Sequence, residues 1–224
     1  DTTSVGNTIN YGDGSTFSGG LNVIYNRKFQ KKGRTLTANI RGDFSQSDNE
    51  SYNYSYRYSQ GNDSIIDQYT HNISNRYNLN AKVSYVEPLW NVKNLLEVAL
   101  SFKSTVNTSE KNQYKNENLA HYNSLGEYED TPREYTVLDT VYSNDFKSRN
   151  FNETLELNYR YTEKNYNLML GVKAEPSQTY SRTTYGDGIK SDFDNSVINY
   201  SPTGRFQYNF AKKKFIRFDY RGTS

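Results

Sequence analysis

Apolar and aromatic residues recur at every second position in one segment after another of this 224-residue chain, and the positions between them are polar or charged. In "SGGLNVIYNRKFQKKGRTLTANIRGDF", residues 18–44, Leu21, Val23, Tyr25 and Phe29 share one parity, and Leu36, Ala38, Ile40 and Phe44 share the next. The intervening positions carry Asn22, Asn26, Lys28, Thr37, Asn39, Arg41 and Asp43. Successive side chains of a strand point to opposite faces, so a period of two describes a sheet with one apolar face and one wet face. Helical spacing is almost absent.

Eight such strands are predicted. After the two above come "RYNLNAKVSYVEP", "LLEVALSFKS", "FNETLELNYRY", "YNLMLGVKAE", "NYSPTGRFQYNF" and "FIRFDYRG". Their apolar parity includes Leu79, Val83, Val98, Leu100, Leu168, Leu170 and Val172. Their polar parity includes Lys82, Glu97, Glu156, Lys173 and Arg205. Connections alternate in length: short links at about 30–34, 88–94, 162–165 and 211–214, and long polar links at about 45–75, 104–150 and 176–198. The opening "DTTSVGNTINYGDGST" reads as a polar, turn-forming stretch, and both "GDG" triplets, at 12–14 and 186–188, read as turns with glycine at positive φ.

Only 33% of the chain is apolar, and 22 tyrosines supply much of that, so a conventional core would be thin. The balance of 27 Lys and Arg against 25 Asp and Glu gives no single-sign field for gripping nucleic acid. With no cysteine there is neither a disulfide nor a thiolate metal site. No apolar run reaches the length of a transmembrane helix.

A wet face bearing acids and bases together suits a water-filled lumen, and an apolar face suits lipid, where a closed barrel satisfies every backbone donor and acceptor. Alternating strands of about ten residues, short links on one side, long links on the other and aromatic girdles describe a transmembrane β-barrel. Trp90, the only tryptophan, falls in a short link at the level of the headgroups. The expected fold is therefore all-β: an antiparallel up-and-down transmembrane β-barrel segment of about eight strands, in one domain spanning residues 1–224. Short links are expected in the periplasm and long loops at the cell surface. A soluble β-sandwich would also alternate, but it gives no reason for long loops on one side only.

The stretches "YNRKFQKKGRTLTANIRGDFSQSDN", "DSIIDQYT", "YNLNAKVSYVEPL" and "KKKFIRFDYRGTS" resemble segments of the outer membrane β-barrel family of Bacteroidota, proteins similar to TonB-dependent receptors. The resemblance implies a barrel of about 22 strands behind an N-terminal plug. It also implies outer-membrane lipid, the remainder of the same barrel, a plug domain, TonB and a surface lipoprotein as partners. No plug domain appears in the chain, which is accordingly expected to be a segment from within a larger barrel.

Candidate sites are few. Tyr52, Tyr54, Tyr56 and Tyr58 in "SYNYSYRYSQ" lie on one side of an extended segment and could stack on a ligand, or simply pack the loops. Asp187, Asp192 and Asp194 in "YGDGIKSDFDN" could offer oxygen ligands to calcium, though the spacing is not that of an EF-hand. Ser64 in "DSI" and Thr140 in "DTV" resemble O-glycosylation acceptors of Bacteroidota envelope proteins, and both also read as turn openings in loops. His71 and His121 are isolated in predicted loops. No cofactor is expected apart from calcium, and no arrangement of acid, base and nucleophile stands out, so the chain reads as a non-enzyme. The function this favours is ligand uptake across the outer membrane. The alternatives are a structural or adhesive surface barrel and a soluble carbohydrate-binding β-protein.

Overall fold

The computed structural model describes residues 5–59, 62–117, 133–211 and 214–222. They form one antiparallel sheet: β1 (Val5–Lys28), β2 (Thr35–Ser59), β3 (Asn62–Pro88), β4 (Asn94–Lys115), β6 (Asn144–Thr162), β7 (Tyr166–Tyr185), β8 (Lys190–Ala211) and β9 (Lys214–Arg221), each paired with the next. The two-residue β5 (Val137–Leu138) lies off this path and pairs with the end of β4. Among the described residues β1 and β9 are not paired with each other, so the sheet is open at both edges.

Strands are much longer than the alternation alone suggested, with 25 residues in β2 and 27 in β3. Most of the expected long links are strand. Residues 45–59 continue β2, 62–75 belong to β3, and 176–185 with 190–198 extend the β7 and β8 hairpin. Of the expected link at 104–150, the stretches 104–115 and 144–150 are strand, and 118–132 lie outside the described residues. These stretches carry few aliphatic residues, and tyrosines such as Tyr52, Tyr54 and Tyr56 among serine and asparagine do not by themselves separate a strand from an extended loop. Serine, threonine and tyrosine at alternate positions are nevertheless good strand residues when the neighbouring strand supplies matching partners.

The opening is likewise strand from Val5 onward. The first "GDG" is not a turn, because Gly12, Asp13 and Gly14 pair with Ser51, Glu50 and Asn49 in mid-ladder. The second is a turn: Gly188 has φ 84°, and its N–H donates to the Tyr185 carbonyl at 2.8 Å. Gly33, at φ 92°, closes the short link between β1 and β2, where an L side chain would be strained.

Register places the predicted apolar parities side by side on one face. Val23 lies opposite Ile40, Ile40 opposite Ala81, and Ala81 opposite Phe102. Farther across, Leu157 meets Val172 and Phe206 meets Phe218. Among the described residues nothing covers this face: Leu21 is 71% exposed and Leu100 58%. The buried hydrophobic residues are Tyr54 and Ala99, so among the described residues the sheet encloses no hydrophobic core. A soluble domain of this length would bury most of its aliphatic side chains.

The strands are also staggered. The row that sets Tyr25 opposite Ala38 continues through Val83, Leu100, Leu155 and Ala174 to Tyr200. Tyr25 stands three residues before the end of β1, and Tyr200 eleven before the end of β8. An eight-residue stagger at about 3.3 Å per residue, spread over six inter-strand steps of about 4.8 Å, tilts the strands by about 40° against the line of short links. Closed barrels have this tilt.

Candidate functional site

Three regions carry the chemistry: the apolar face, the opposite polar face, and the hairpin ends that run past the apolar band. On β3 the band runs from Tyr77 to Tyr85 and on β7 from Tyr166 to Ala174, a height of about 20 Å once the tilt is included. This is close to the apolar band of roughly 25 Å on a transmembrane barrel. Tyr85, Tyr159, Tyr161, Tyr166 and Tyr208 line its margin beside the short links, and Trp90, 78% exposed, stands in the link between β3 and β4.

The polar face is laced by ion pairs that run both across the strands and along them. Lys82 reaches Glu156 at 3.4 Å, and Arg160 reaches Glu97 at 3.5 Å. Asp219 is held by Arg205 at 2.6 Å and by Arg217 at 2.5 Å. Within single strands Arg41 pairs with Asp43 and Lys173 with Glu175, as Arg217 does with Asp219 in β9.

A repeated clamp ties the short links together. Tyr85 donates its hydroxyl to Glu87 at 2.7 Å, and Glu87 also accepts from Arg34 at 2.7 Å and Lys31 at 2.6 Å, both in the preceding link. Tyr161 donates to Glu163 at 3.2 Å, and Glu163 accepts from Lys93 of the link before it at 2.8 Å. Hydrogen bonds from Arg34, then Lys31 and Tyr85, lower the Glu87 carboxyl to about 2. The sequence signal is a Tyr-x-Glu step entering a short link, "YVE" and "YTE", and the alternation reading passed over it.

Beyond the band, four tyrosines on four consecutive strands meet in one row. Tyr11 stacks on Tyr52 at 4.7 Å between ring centroids, Tyr52 meets Tyr69 at 4.8 Å, and Tyr69 meets Tyr114 at 6.0 Å. Tyr135, from the segment before β5, covers Tyr52 and Tyr69 at 5.7 and 5.9 Å. Burial, then the neighbouring Glu50, pushes the Tyr69 phenol up to about 12. The same segment is anchored by buried Asp67, which accepts from Tyr135 Oη at 2.8 Å and Asn116 Nδ2 at 3.0 Å. This row could be found only by pairing the strands, since its members are far apart in sequence.

The candidate residues fall in different places. Tyr52 is packed in the row, and Tyr54, 5% exposed, lies under the Arg133 guanidinium at 5.3 Å. Tyr56 shares their face at the far end of β2, and the side chain of Tyr58 lies outside the described residues. Asp187 Oδ1 accepts the Ile189 N–H at 2.9 Å, Asp192 pairs with Arg182 at 2.7 Å, and Asp194 accepts from Gln178 at 3.4 Å. No group of three or more His, Cys, Asp or Glu suited to a metal ion occurs among the described residues. Ser64 is exposed but stands in β3, opposite Arg57, and not in a loop. Thr140 is exposed in the turn opened by Asp139, whose carbonyl accepts from Ser143 N at 2.9 Å. His71 is likewise in β3, 2.7 Å from Asp48, and His121 lies outside the described residues.

Among solved structures the chain is similar to the ferric citrate transporter FecA in its unliganded form, with 12% identity and a TM-score of 0.42 over 80% of this chain. The match spans a quarter of that protein, 25% of its length. No family model and no curated protein matches the chain.

Proposed function

We propose that these strands form part of the wall of an outer-membrane β-barrel that serves ligand uptake, with the apolar face against lipid and the polar face lining a water-filled interior. The observation that carries this reading is the exposed apolar band on one face of an open sheet that encloses no hydrophobic core. Exposed apolar surface of this extent marks a membrane or protein contact. In lipid the free edges of β1 and β9 must pair, because unpaired backbone groups there cost several kcal/mol each, so further strands close the barrel. In this arrangement the short links face the periplasm and the projecting hairpins face the cell exterior, where a plug domain, TonB and a surface lipoprotein would be the partners of an uptake barrel.

Membrane fractionation of the native host tests the assignment. The protein is expected in the outer-membrane fraction after carbonate extraction and to migrate faster on gels before boiling than after. Recovery in the soluble fraction would sink it. A second reading, a surface barrel whose hairpin ends bind a partner, is favoured by the length of β2 and β3 beyond the apolar band. Deleting residues 50–70 separates the two, since uptake through the barrel would survive and partner binding would not.

A further inference from the structure

The whole chain is almost neutral, with 27 basic residues against 25 acidic, but its two faces are not. On the polar face every acid, Asp43, Glu97, Glu156, Glu175 and Asp219, is held in an ion pair by a base of that same face. The converse does not hold. Lys28, Arg57, Arg76, Lys103, Lys111 and Arg221 share this face, and among the described residues none of them has an acidic partner. Among the described residues the polar face has no acid without a base, because the remaining strand acids, such as Asp48, Glu50, Glu110 and Asp145, have the opposite parity.

Three of the unmatched bases form a column on β3 and β4. Lys103 stands opposite Asn80, with Asn152 on its other side and Ser101 and Thr105 along its strand. Arg76 stands between Ser45 and Asn107, with Ser74 and Asn78 along its strand. Lys111 lies between Asn72 and Asn144. The directly paired and in-strand neighbours are all hydroxyls or amides, and the one acid diagonal to the column, Asp43 beside Arg76, is already held by Arg41. Successive members of the column are about 14 Å apart, four residues along and one strand across. That exceeds the screening length of about 8 Å at physiological salt, so each position acts as a separate station.

We infer that the polar face of β3 and β4, through Arg76, Lys103 and Lys111, takes small polyvalent anions. Carboxylate, phosphate or sulfonate oxygens would be met by the cationic head and by the neighbouring serine, threonine and asparagine donors. A low-dielectric wall around one sign of charge also concentrates such solutes. The inference rests on the reading that this face lines an interior. The tyrosines lie on the other face and take no part.

Binding of pyranine, a fluorescent trisulfonate, to the complete barrel in detergent tests it, with a size-matched uncharged pyrene as reference. The trisulfonate is expected to bind at least about tenfold more tightly than the uncharged probe and to weaken steeply with added salt. Combining Arg76→Gln, Lys103→Gln and Lys111→Gln should abolish that preference, and Lys147→Gln with Arg149→Gln on the opposite face should leave it unchanged. Arg76→Lys with the other two bases intact controls for folding and should retain binding. Equal binding of the two probes, or an undiminished preference in the triple variant, overturns the inference. Gel mobility before boiling, read on the same samples, reports on the barrel itself, so loss of the barrel and loss of anion preference are distinguishable.

Discussion

Leu170 is half exposed on the apolar face, between Tyr159 and Gly204 on the neighbouring strands, with no side chain above it. In water such a residue contributes little. In a bilayer it defines the boundary between protein and lipid. Leu170→Arg is therefore expected to destabilise the inserted barrel by about 2–4 kcal/mol, and Asn22→Arg on the polar face by much less. Urea titration of the protein refolded into lipid vesicles measures both. Which face a residue takes was legible from the sequence wherever one parity was aliphatic, as at Leu168, Leu170 and Val172. It was not legible at Asp13 or Glu50, where both parities are polar and only the strand pairing assigns a face.

At the scale of elements, the clamp at Glu87 fixes how adjacent hairpins sit, because its cations come from the link between β1 and β2 while Glu87 is the penultimate residue of β3. Its folded value of about 2 lies below the ordinary 4.5, so the stabilisation is complete above 4.5 and is lost as pH falls towards 2. Stability of the inserted protein should thus decline with acid across that window, and Glu87→Gln should flatten the decline attributable to this group. Denaturant midpoints at stepped pH values read it. The tyrosine row makes a separate claim about the hairpin ends. Tyr69→Ala removes its ring contacts with Tyr52, His71, Tyr114 and Tyr135 at once, each worth about 0.5–1.5 kcal/mol beyond its buried area. Amide exchange near residues 50–56 and 64–70 should accelerate, and exchange in the apolar band should not change. Six strand stretches were expected as loop for one reason: without an aliphatic face they show no clear hydrophobic period, and their stability comes from cross-strand pairs such as Thr16 with Ser47 and Ser109 with Asn72, which link residues 31 and 37 positions apart.

For the whole molecule, alternation and link length conveyed an antiparallel meander, but the stagger that tilts it arises from pairing and cannot be read from any one strand. Polarised infrared spectroscopy of oriented bilayers should give strands inclined at about 40° to the membrane normal, and an orientation parallel to the membrane plane would be inconsistent with a barrel. On the proposed reading one face of the sheet meets lipid and the other meets water. Trp90 is the only tryptophan in the chain, so Trp90→Phe leaves a silent background on which a single reporter can be placed. Leu100→Trp on the apolar face and Asn39→Trp on the polar face should both be tolerated. In bilayers of lipid brominated along the acyl chains, fluorescence from position 100 is expected to be strongly quenched and fluorescence from position 39 to persist. Equal quenching at the two positions, or none at position 100, would contradict the account.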